Sequence, residues 1–132
     1  MTPLTGDQFR IENLFSLRGK TALVTGGSSG LGLIMSRGLL RNGVKVLIAS
    51  RKSEKCKLAL EQLKPHGECY AFAADVTSID DRKALLQETE DKLGSISILI
   101  NNAGTNWAAK LEEYPDHGFA KVISTNLNAV FS

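Results

Sequence analysis

The sequence predicts an α/β fold, a Rossmann-like doubly wound parallel sheet with strands in the order 3-2-1-4 and flanking helices. Four short apolar runs, of the kind that strands buried on both faces need, alternate with segments of helical periodicity. A glycine-rich turn follows the first run, and small polar residues follow the fourth. Because open α/β sheets bind ligands where their strand order reverses, both segments are expected to bind one ligand across strands 1 and 4.

The first strand and its turn are predicted at residues 20–32, with Ala22, Leu23 and Val24 as the apolar run. Glycines allow a tight turn and a close approach of the backbone to a ligand, and the following helix presents unpaired N–H groups to an anion. The turn is therefore expected to bind the phosphates of a dinucleotide. The residues expected to contact it are Gly26, Ser28, Ser29, Gly30, Leu31 and Gly32.

The helix after this turn is predicted to end at Asn42 and Gly43, which form a typical helix stop. Its predicted apolar face consists of Leu31, Ile34, Met35, Gly38 and Leu39. A glycine inside a helix costs about 1 kcal/mol relative to alanine, so Gly38 is expected to allow a close contact between the helix and a strand.

The second strand, residues 44–49, is followed by Ser50 and Arg51, and these residues indicate which cofactor is bound. A site for NAD usually has an acidic residue about 20 residues beyond the glycine turn, where it binds the ribose hydroxyls. A guanidinium instead suits a phosphate, and Lys52 and Lys55 add positive charge, so the sequence favours NADP(H). The alternative is that Arg51 and Lys52 are only solvated residues at the start of a helix.

Two more helices are predicted between the second and fourth strands. One begins with Ser53 as its N-cap, and the other begins with Ser78, which resembles a capping box with Asp81. The first helix is predicted to bury Cys56, Leu60 and Leu63, and the second to bury Ile79, Leu85, Leu86, Thr89 and Leu93 before ending at Gly94.

The third strand, residues 69–73, leads into Asp75, and the fourth, residues 98–100, leads into Asn-Asn-Ala-Gly at 101–104. Together with Thr-Gly-x-x-x-Gly-x-Gly at residues 25–32, these motifs resemble the short-chain dehydrogenase/reductase family over nearly the whole chain. Within the family, residues 14–32 and 101–107 are most similar to the 3-oxoacyl reductases of rhamnolipid biosynthesis and their fungal relatives.

The resemblance implies roles for the residues that follow the third and fourth strands. Asp75 would accept a hydrogen bond from the adenine amino group, assisted by the backbone of Val76. Asn102, Ala103 and Gly104 would line the ribose and adenine, and Asn101 or Asn102 would also stabilise the sheet. The residues themselves leave open that Asp75 caps the next helix instead.

A final helix is predicted with Pro115 as its first residue and Asn126 on its apolar stripe. The stripe consists of Phe119, Val122, Ile123, Leu127 and Val130. The resemblance implies that Asn126 is a catalytic residue that anchors a water molecule in a proton relay. The alternative is an asparagine bonded to local backbone. Trp107 is expected either to border a substrate pocket or to be a packing residue.

The resemblance implies that the family's chemistry uses an Asn, a Ser and a Tyr-x-x-x-Lys motif, whose tyrosine protonates a ketone as hydride arrives from the nicotinamide. Asn126 is the only member of this set in the chain, because neither Tyr70 nor Tyr114 has a lysine four residues later. Residues 1–17 are expected to form an irregular arm, and residues 18–132 an NADP-binding Rossmann half-domain that is incomplete at its C-terminus.

An incomplete sheet would expose its fourth strand as a hydrophobic edge, so self-association through that edge is expected. The net charge of +2 without long charged runs indicates neither nucleic-acid nor membrane binding, and no leader or membrane span is apparent. Cys56 and Cys69 lack redox or metal spacing, as do His66 and His117, so no metal site is expected and the chain is placed in the cytoplasm.

The favoured function is NADPH-dependent reduction of a ketone, a small-molecule 3-oxoacyl or secondary-metabolite carbonyl, by a protein of which this chain is a truncated form. The alternatives are a non-catalytic NADP-binding module or pseudoenzyme, and an inert product too incomplete to fold.

Overall fold

The structure, a computed structural model, describes residues 6–132. Its strands are β1 (Thr21–Thr25), β2 (Lys45–Ser50), β3 (Cys69–Ala73) and β4 (Ile98–Ile100). Its α-helices are α1 (Ile11–Leu14), α2 (Gly30–Arg41), α3 (Ser53–Leu63), α4 (Ile79–Leu93), α5 (Asp116–Ile123) and α6 (Ala129–Phe131). A π-helical segment, Ser124–Asn128, joins α5 to α6, and short 3-10 turns occupy Gly6–Phe9, Lys64–His66 and Leu111–Glu113.

The four strands form one parallel sheet in the order β3-β2-β1-β4, which confirms the predicted fold class and strand order. In the register of this sheet, Leu23 of β1 lies between Leu47 of β2 and Leu99 of β4. The sheet therefore ends at β4 on one side within the described residues, and Leu99 is 56% exposed there.

Each face of the sheet carries its own apolar core. The face covered by α2 and α3 contains Ala22, Val24, Leu40, Val44, Val46, Ile48, Ala59, Leu63 and Cys69. The face covered by α4 contains Leu23, Leu47, Ala49, Ala74 and Leu85. Because β1 and β2 contribute to both cores, they form the rigid centre from which the turns at the carboxyl edge project.

The N-terminal arm differs in part from its prediction. Residues 1–5 lie outside the described residues, and the rest, expected to be irregular, forms a 3-10 turn followed by α1. Leu17 packs against the core, whereas the apolar side chains before it are mostly exposed, namely Phe9, Ile11, Leu14 and Phe15.

The buried face of α2 differs from the predicted one by a rotation of the helix. Leu31 and Ile34 are 72% and 63% exposed, and the buried residues are Gly32, Ser36 and Leu40. Gly38 is exposed, and an added Cβ there would meet no atom within 4 Å, so the expected close contact was wrong. The first turn of α2 packs against the glycine turn through Gly32, and this contact sets the orientation of the helix. The spacing of apolar residues does not reveal such a contact.

The helices α3 and α4 confirm some predicted details and correct others. Ser53 is the first residue of α3 rather than its N-cap, which is Lys52 and forms no side-chain cap. Ser78 does cap α4, because its hydroxyl oxygen accepts a hydrogen bond from the Asp81 N–H at 3.2 Å. α3 ends at Leu63, just before the 3-10 turn Lys64–His66, and α4 ends at Leu93 with Gly94 as its C-cap, as predicted.

The buried face of α3 agrees with its prediction, whereas that of α4 is narrower than predicted. In α3, Cys56, Ala59 and Leu63 are buried and Leu60 packs partly against the core. In α4 only Leu85 and Thr89 are buried, whereas Ile79 and Leu86 are 61% and 48% exposed. A helix packed on one side against a sheet covers only the residues that point at the strands, so the flanking apolar positions stay at the surface.

Candidate cofactor-binding cleft

The glycine turn after β1 has a backbone that only glycine adopts without strain. Gly26 and Gly30 have φ values of 66° and 54°, in the left-handed region. A Cβ at Gly27 would lie 2.7 Å from Ile48 Cβ, and one at Gly32 would lie 2.6 Å from Asn102 Nδ2 and would also collide with the Gly26 carbonyl oxygen. The turn is thereby held against both β2 and the loop that follows β4.

A cleft of about 520 Å³ opens beside this turn, at the carboxyl edge of the sheet. Ten of the thirteen residues predicted to bind the cofactor line it: Gly26, Ser28, Ser29, Ser50, Arg51, Asp75, Val76, Asn102, Ala103 and Gly104. Gly30, Leu31 and Gly32 do not line the cleft and instead form the first turn of α2, whose N-cap Ser29 contributes no side-chain hydrogen bond. The first-turn N–H groups of a helix have no partner within the helix, so this end of α2 remains suited to an anion.

The side of the cleft nearest β2 carries positive charge. Ser28 Oγ donates a 2.9 Å hydrogen bond to Ser50 Oγ, which links the glycine turn to the end of β2. Arg51, Lys52 and Lys55 are exposed and line the cleft directly beyond this bond. Three cations next to two serine hydroxyls form a suitable environment for a phosphate group.

Asp75 lies on the same cleft and is held by Thr77. Its Oδ1 accepts hydrogen bonds from the Thr77 hydroxyl at 2.7 Å and from the Thr77 N–H at 2.9 Å. These bonds lower the pKa of the Asp75 carboxyl below its usual value, and the charge of Arg51 adds to the effect. Since Ser78 is the N-cap of α4, Asp75 is not the capping residue that the alternative interpretation required.

Thr25 and Asn102 join the glycine turn to the loop after β4. Asn102 Nδ2 donates hydrogen bonds to the carbonyl oxygens of Thr25 and Gly26 at 3.1 and 3.2 Å. Thr25 Oγ1 accepts hydrogen bonds from the backbone N–H groups of Asn102 and Ala103 at 3.1 and 3.0 Å. Of the two asparagines considered from the sequence, Asn102 is thus the one that ties β1 to β4, while Asn101 is exposed.

Asn126 lies in the π-helical segment and binds the backbone of one residue in the loop after β4. Its Oδ1 accepts a hydrogen bond from the Thr105 N–H, and its Nδ2 donates one to the Thr105 carbonyl oxygen, both at 2.9 Å. The expected inward position on an apolar stripe was wrong, because Asn126 is exposed and Leu127 beside it is 60% exposed. The alternative of a bond to local backbone was also wrong, since Thr105 is 21 residues away.

Trp107 is a packing residue in this structure. Its ring lies against Gly118 of α5 and meets the His117 ring edge-on, with ring centroids 5.0 Å apart. Pro115, expected as the first helical residue, is the N-cap of α5.

Sequence reasoning missed one wall of the cleft. Lys121, Ser124 and Thr125 line it from α5 and the π-helical segment. Their spacing of i, i+3 and i+4 places three polar side chains on one helical face. This pattern is visible in the sequence, but the prediction for this helix considered only its apolar stripe.

Both cysteines are free and buried. Burial raises the pKa of the Cys69 thiol to about 11 and also raises that of Cys56, so neither has the lowered pKa of a reactive cysteine. Within residues 6–132, no group of three or more His, Cys, Asp or Glu side chains could hold a metal ion. None of the helices in this part of the chain is long and apolar enough to cross a membrane.

Residues 20–132 match the family model for short chain dehydrogenases. The chain belongs to the short-chain dehydrogenase family. A relative by sequence is the rhamnolipids biosynthesis 3-oxoacyl-[acyl-carrier-protein] reductase of Pseudomonas aeruginosa, 43% identical over 89% of this chain and 46% of that protein. Another is the 5-keto-D-gluconate 5-reductase of Escherichia coli, 34% identical over 92% of this chain and 48% of its own length. The chain therefore spans about half the length of these curated relatives.

Solved structures of short-chain dehydrogenases agree with this assignment. The chain superposes with a TM-score of 0.85 on a Pseudomonas aeruginosa RhlG/NADP active-site complex, 43% identical over 89% of this chain and 46% of that one. It superposes with a TM-score of 0.83 on a variant of actinorhodin polyketide ketoreductase with NADPH, 33% identical over 85% and 43% of the two chains. The family suspected from the motifs is thus confirmed, together with a fold whose relatives bind nicotinamide cofactors.

Proposed function

We propose that this chain binds NADP(H) in the cleft and forms the cofactor-binding part of an NADPH-dependent ketone reductase. The observation that carries the proposal is the convergence of ten predicted cofactor residues on one cleft at the carboxyl ends of the strands. These residues come from four separate turns of the sequence, and the fold brings them together where doubly wound sheets bind nucleotides.

The residues present fit such a cofactor. A Cβ at Gly26 would lie only 2.9 Å from Asn102 Nδ2, so glycine lets the turn lie directly against the loop after β4, whereas a Cβ at Gly30 would meet no atom within 4 Å and the backbone there stays open to a ligand. The three cations beyond β2 match the additional phosphate of NADP(H), and the only acidic residue lining the described cleft, Asp75, is turned towards Thr77 through Oδ1. An acidic residue at the position of Arg51 would repel that phosphate.

Each group of residues has a proposed task in binding. Ser28, Ser50 and Arg51 bind the ribose phosphate, and the first turn of α2 stabilises the diphosphate. Asp75 and Val76 bind the adenine, and Asn102, Ala103 and Gly104 line the ribose and adenine through small side chains and exposed backbone. When bound, NADPH supplies the hydride for carbonyl reduction.

Asn126 is the proposed catalytic residue of this chain, and its proposed contribution is to position the loop after β4. By holding both backbone groups of Thr105, it fixes the loop whose beginning lines the cleft. The proton-donating Tyr-x-x-x-Lys motif does not occur in this sequence, so carbonyl reduction is proposed for proteins in which this segment is joined to that motif.

The proposed substrate class is a small-molecule ketone, either a 3-oxoacyl compound or a secondary-metabolite carbonyl. Support comes from the relatives named above, which include a 3-oxoacyl-[acyl-carrier-protein] reductase and a polyketide ketoreductase. The proposed location is the cytoplasm. Self-association through β4 is proposed as well, because Leu99 is exposed on a strand that, among residues 6–132, has a neighbour on one side only.

Titration with NADPH and NADH tests the cofactor assignment. We expect the chain to bind NADPH more tightly than NADH, and Arg51→Ala to weaken NADPH binding about tenfold through loss of a charged hydrogen bond while leaving NADH binding unchanged. Arg41→Ala, at the far end of α2, is the matched control and should change neither affinity. Equal affinities of the unaltered chain for the two cofactors would reject the preference for NADP, and binding of neither would reject the site.

An assay of NADPH oxidation with 3-oxoacyl substrates tests the reductase assignment. The 132-residue chain is expected to bind NADPH without turnover, and a chain extended by a segment that supplies the Ser and the Tyr-x-x-x-Lys motif is expected to turn over. Binding without turnover in both would favour a non-catalytic NADP-binding module.

A further inference from the structure

A cation–aromatic cluster reaches the cleft through one residue of α5, Lys121. We call it the Trp107 cluster, and it consists of Trp107, His117, Gly118 and Lys121. Lys121 Nζ lies 5.7 Å from the centroid of the Trp107 ring, within the range of a cation–π interaction. None of the predicted cofactor residues belongs to this cluster, so it is a separate feature of the cleft.

The indole ring in this cluster is fixed by its neighbours. A Cβ at Gly118 would lie 2.9 Å from the ring atoms Cγ and Cδ2 of Trp107, so glycine allows the ring to lie directly on the helix. The His117 ring meets it at an interplanar angle of 87°. Edge-to-face contacts of this kind stabilise one orientation of a ring, and the ring in turn offers one face to the cation.

Lys121 is exposed and lines the cleft together with Ser124 and Thr125. None of the ion pairs between described residues includes Lys121, so its charge is not neutralised by a carboxylate. Lys92 of α4 provides a contrast, because it lies 6.0 Å from the Tyr70 ring, forms an ion pair with Glu88 and is outside the cleft.

Lys121 and Arg51 reach the cleft from different elements of the fold, α5 and the turn after β2. Arg51 follows β2, whereas α5 follows β4, and β1 lies between those two strands in the sheet. A nucleotide whose ribose phosphate binds at Arg51 would therefore present a different group to Lys121. An ammonium on a flexible stem is best matched by a phosphate oxygen, and the diphosphate is the remaining anionic group.

We propose that Lys121 is a cofactor-contacting residue that binds the nucleotide diphosphate, and that Trp107 is a positioning residue that holds the Lys121 ammonium at the cleft. This inference rests on the proposed binding of NADP(H). A cation kept near its binding position by a ring loses less conformational freedom when the ligand arrives, which strengthens binding without an added contact.

The test measures affinities of the full 132-residue chain for NADPH and NADH in Lys121→Met, Lys121→Arg, Trp107→Leu and the control Lys92→Met. Because both cofactors carry the diphosphate, Lys121→Met should weaken the binding of NADPH and of NADH by about fivefold. Arg51→Ala, in contrast, should weaken only the binding of NADPH. The loss should shrink in 1 M salt, where the screening length falls to about 3 Å. Lys121→Arg should retain most of the affinity, and Lys92→Met should retain all of it.

Trp107→Leu should weaken the binding of both cofactors by a smaller factor than Lys121→Met does. The double variant Trp107→Leu/Lys121→Met should bind them no worse than Lys121→Met alone, because Trp107 acts through Lys121. Thermal unfolding of each variant separates loss of binding from loss of folding.

Unchanged affinity in a folded Lys121→Met chain, or a loss that salt does not reduce, would overturn the role of Lys121 while leaving the NADP site intact. Additive losses in the double variant would overturn the positioning role of Trp107. Failure of the unaltered chain to bind either cofactor would reject the proposed function itself, and this inference with it.

Discussion

The two sides of β1 are held by different kinds of contact. Leu23 pairs with Leu47 on one side and with Leu99 on the other, so the two leucines occupy equivalent places in the register. Leu47 is fully buried and Leu99 is 56% exposed. The pairing with β2 extends over five residues of β1, and the pairing with β4 over three.

On the side of β4, where the pairing is shorter and Leu99 is exposed, hydrogen bonds to side chains of β1 add to the attachment of the strands. Thr21 at the start of β1 accepts a hydrogen bond from the Ser97 N–H through Oγ1, at 3.1 Å. Thr25 Oγ1, at the end of β1, accepts hydrogen bonds from the N–H groups of Asn102 and Ala103. Apolar burial thus stabilises the β2 side, whereas directional hydrogen bonds position the β4 side, and the cleft lies across both.

The largest effect is expected for Leu47→Ala, which should lower the free energy of unfolding by about 3 to 4 kcal/mol, because it leaves a cavity in a fully buried site. Leu99→Ala is the matched control and should cost about 1 kcal/mol or less. Urea unfolding followed by circular dichroism measures both. Equal losses would mean that the two sides of β1 contribute alike to the core.

Asn102→Ala should destabilise the chain by about 1 to 3 kcal/mol, because the Thr25 and Gly26 carbonyl oxygens lose their Nδ2 donor. Asn101→Ala removes an exposed amide next to it and should change stability by less than about 0.5 kcal/mol. The same unfolding measurement compares them. If the two variants were equally stable, the polar attachment of β4 would be unimportant.

Asn126→Ala should cost about 1 kcal/mol and should release the loop after β4, since both of its hydrogen bonds go to Thr105. Hydrogen exchange is the measurement: the Thr105 amide should exchange faster, while amides of β2 stay protected. Asn128→Ala, in the same π-helical segment, is the control. An unchanged Thr105 exchange rate would show that other contacts hold the loop.

The smallest effect on stability is expected from protonation of Asp75. Its pKa is lowered in the folded chain by Thr77, so the ionised form contributes stability above the ordinary value of 3.8 and loses it as pH falls through the lower folded value. The stability difference between the unaltered chain and Asp75→Asn should therefore be below about 1 kcal/mol at pH 6 and should narrow at pH 3. A difference that widens on acidification would contradict the assigned cause.

The strands were the most predictable elements. The bounds of β3 and β4 agree with the apolar runs read from the sequence, because a strand buried between helices needs an uninterrupted run. The glycine spacing likewise predicted the tight turn after β1, in which Gly26 and Gly30 have positive φ values that few other residues adopt. Ser78 as the cap of α4 followed from the same kind of local argument.

The faces of the helices were less predictable. Periodicity placed Leu31 and Ile34 towards the sheet, but the contact of Gly32 with the glycine turn rotates α2 and leaves both exposed. Asn126 was expected inside for a similar reason, yet its amide pairs with Thr105 at the surface. Apolar spacing reports which residues share a face and not which face meets a strand.

The sequence by itself determined the parallel sheet, the glycine turn, the likeness to short-chain dehydrogenases and most of the residues that line the cleft, because these depend on local backbone requirements and on motifs. Only the tertiary structure decided the rotation of α2, the choice of Asn102 over Asn101, the placing of Lys121 at the cleft and the packing of Trp107 against Lys121. Each of these depends on contacts between residues distant in the chain, which the local pattern of a sequence does not contain.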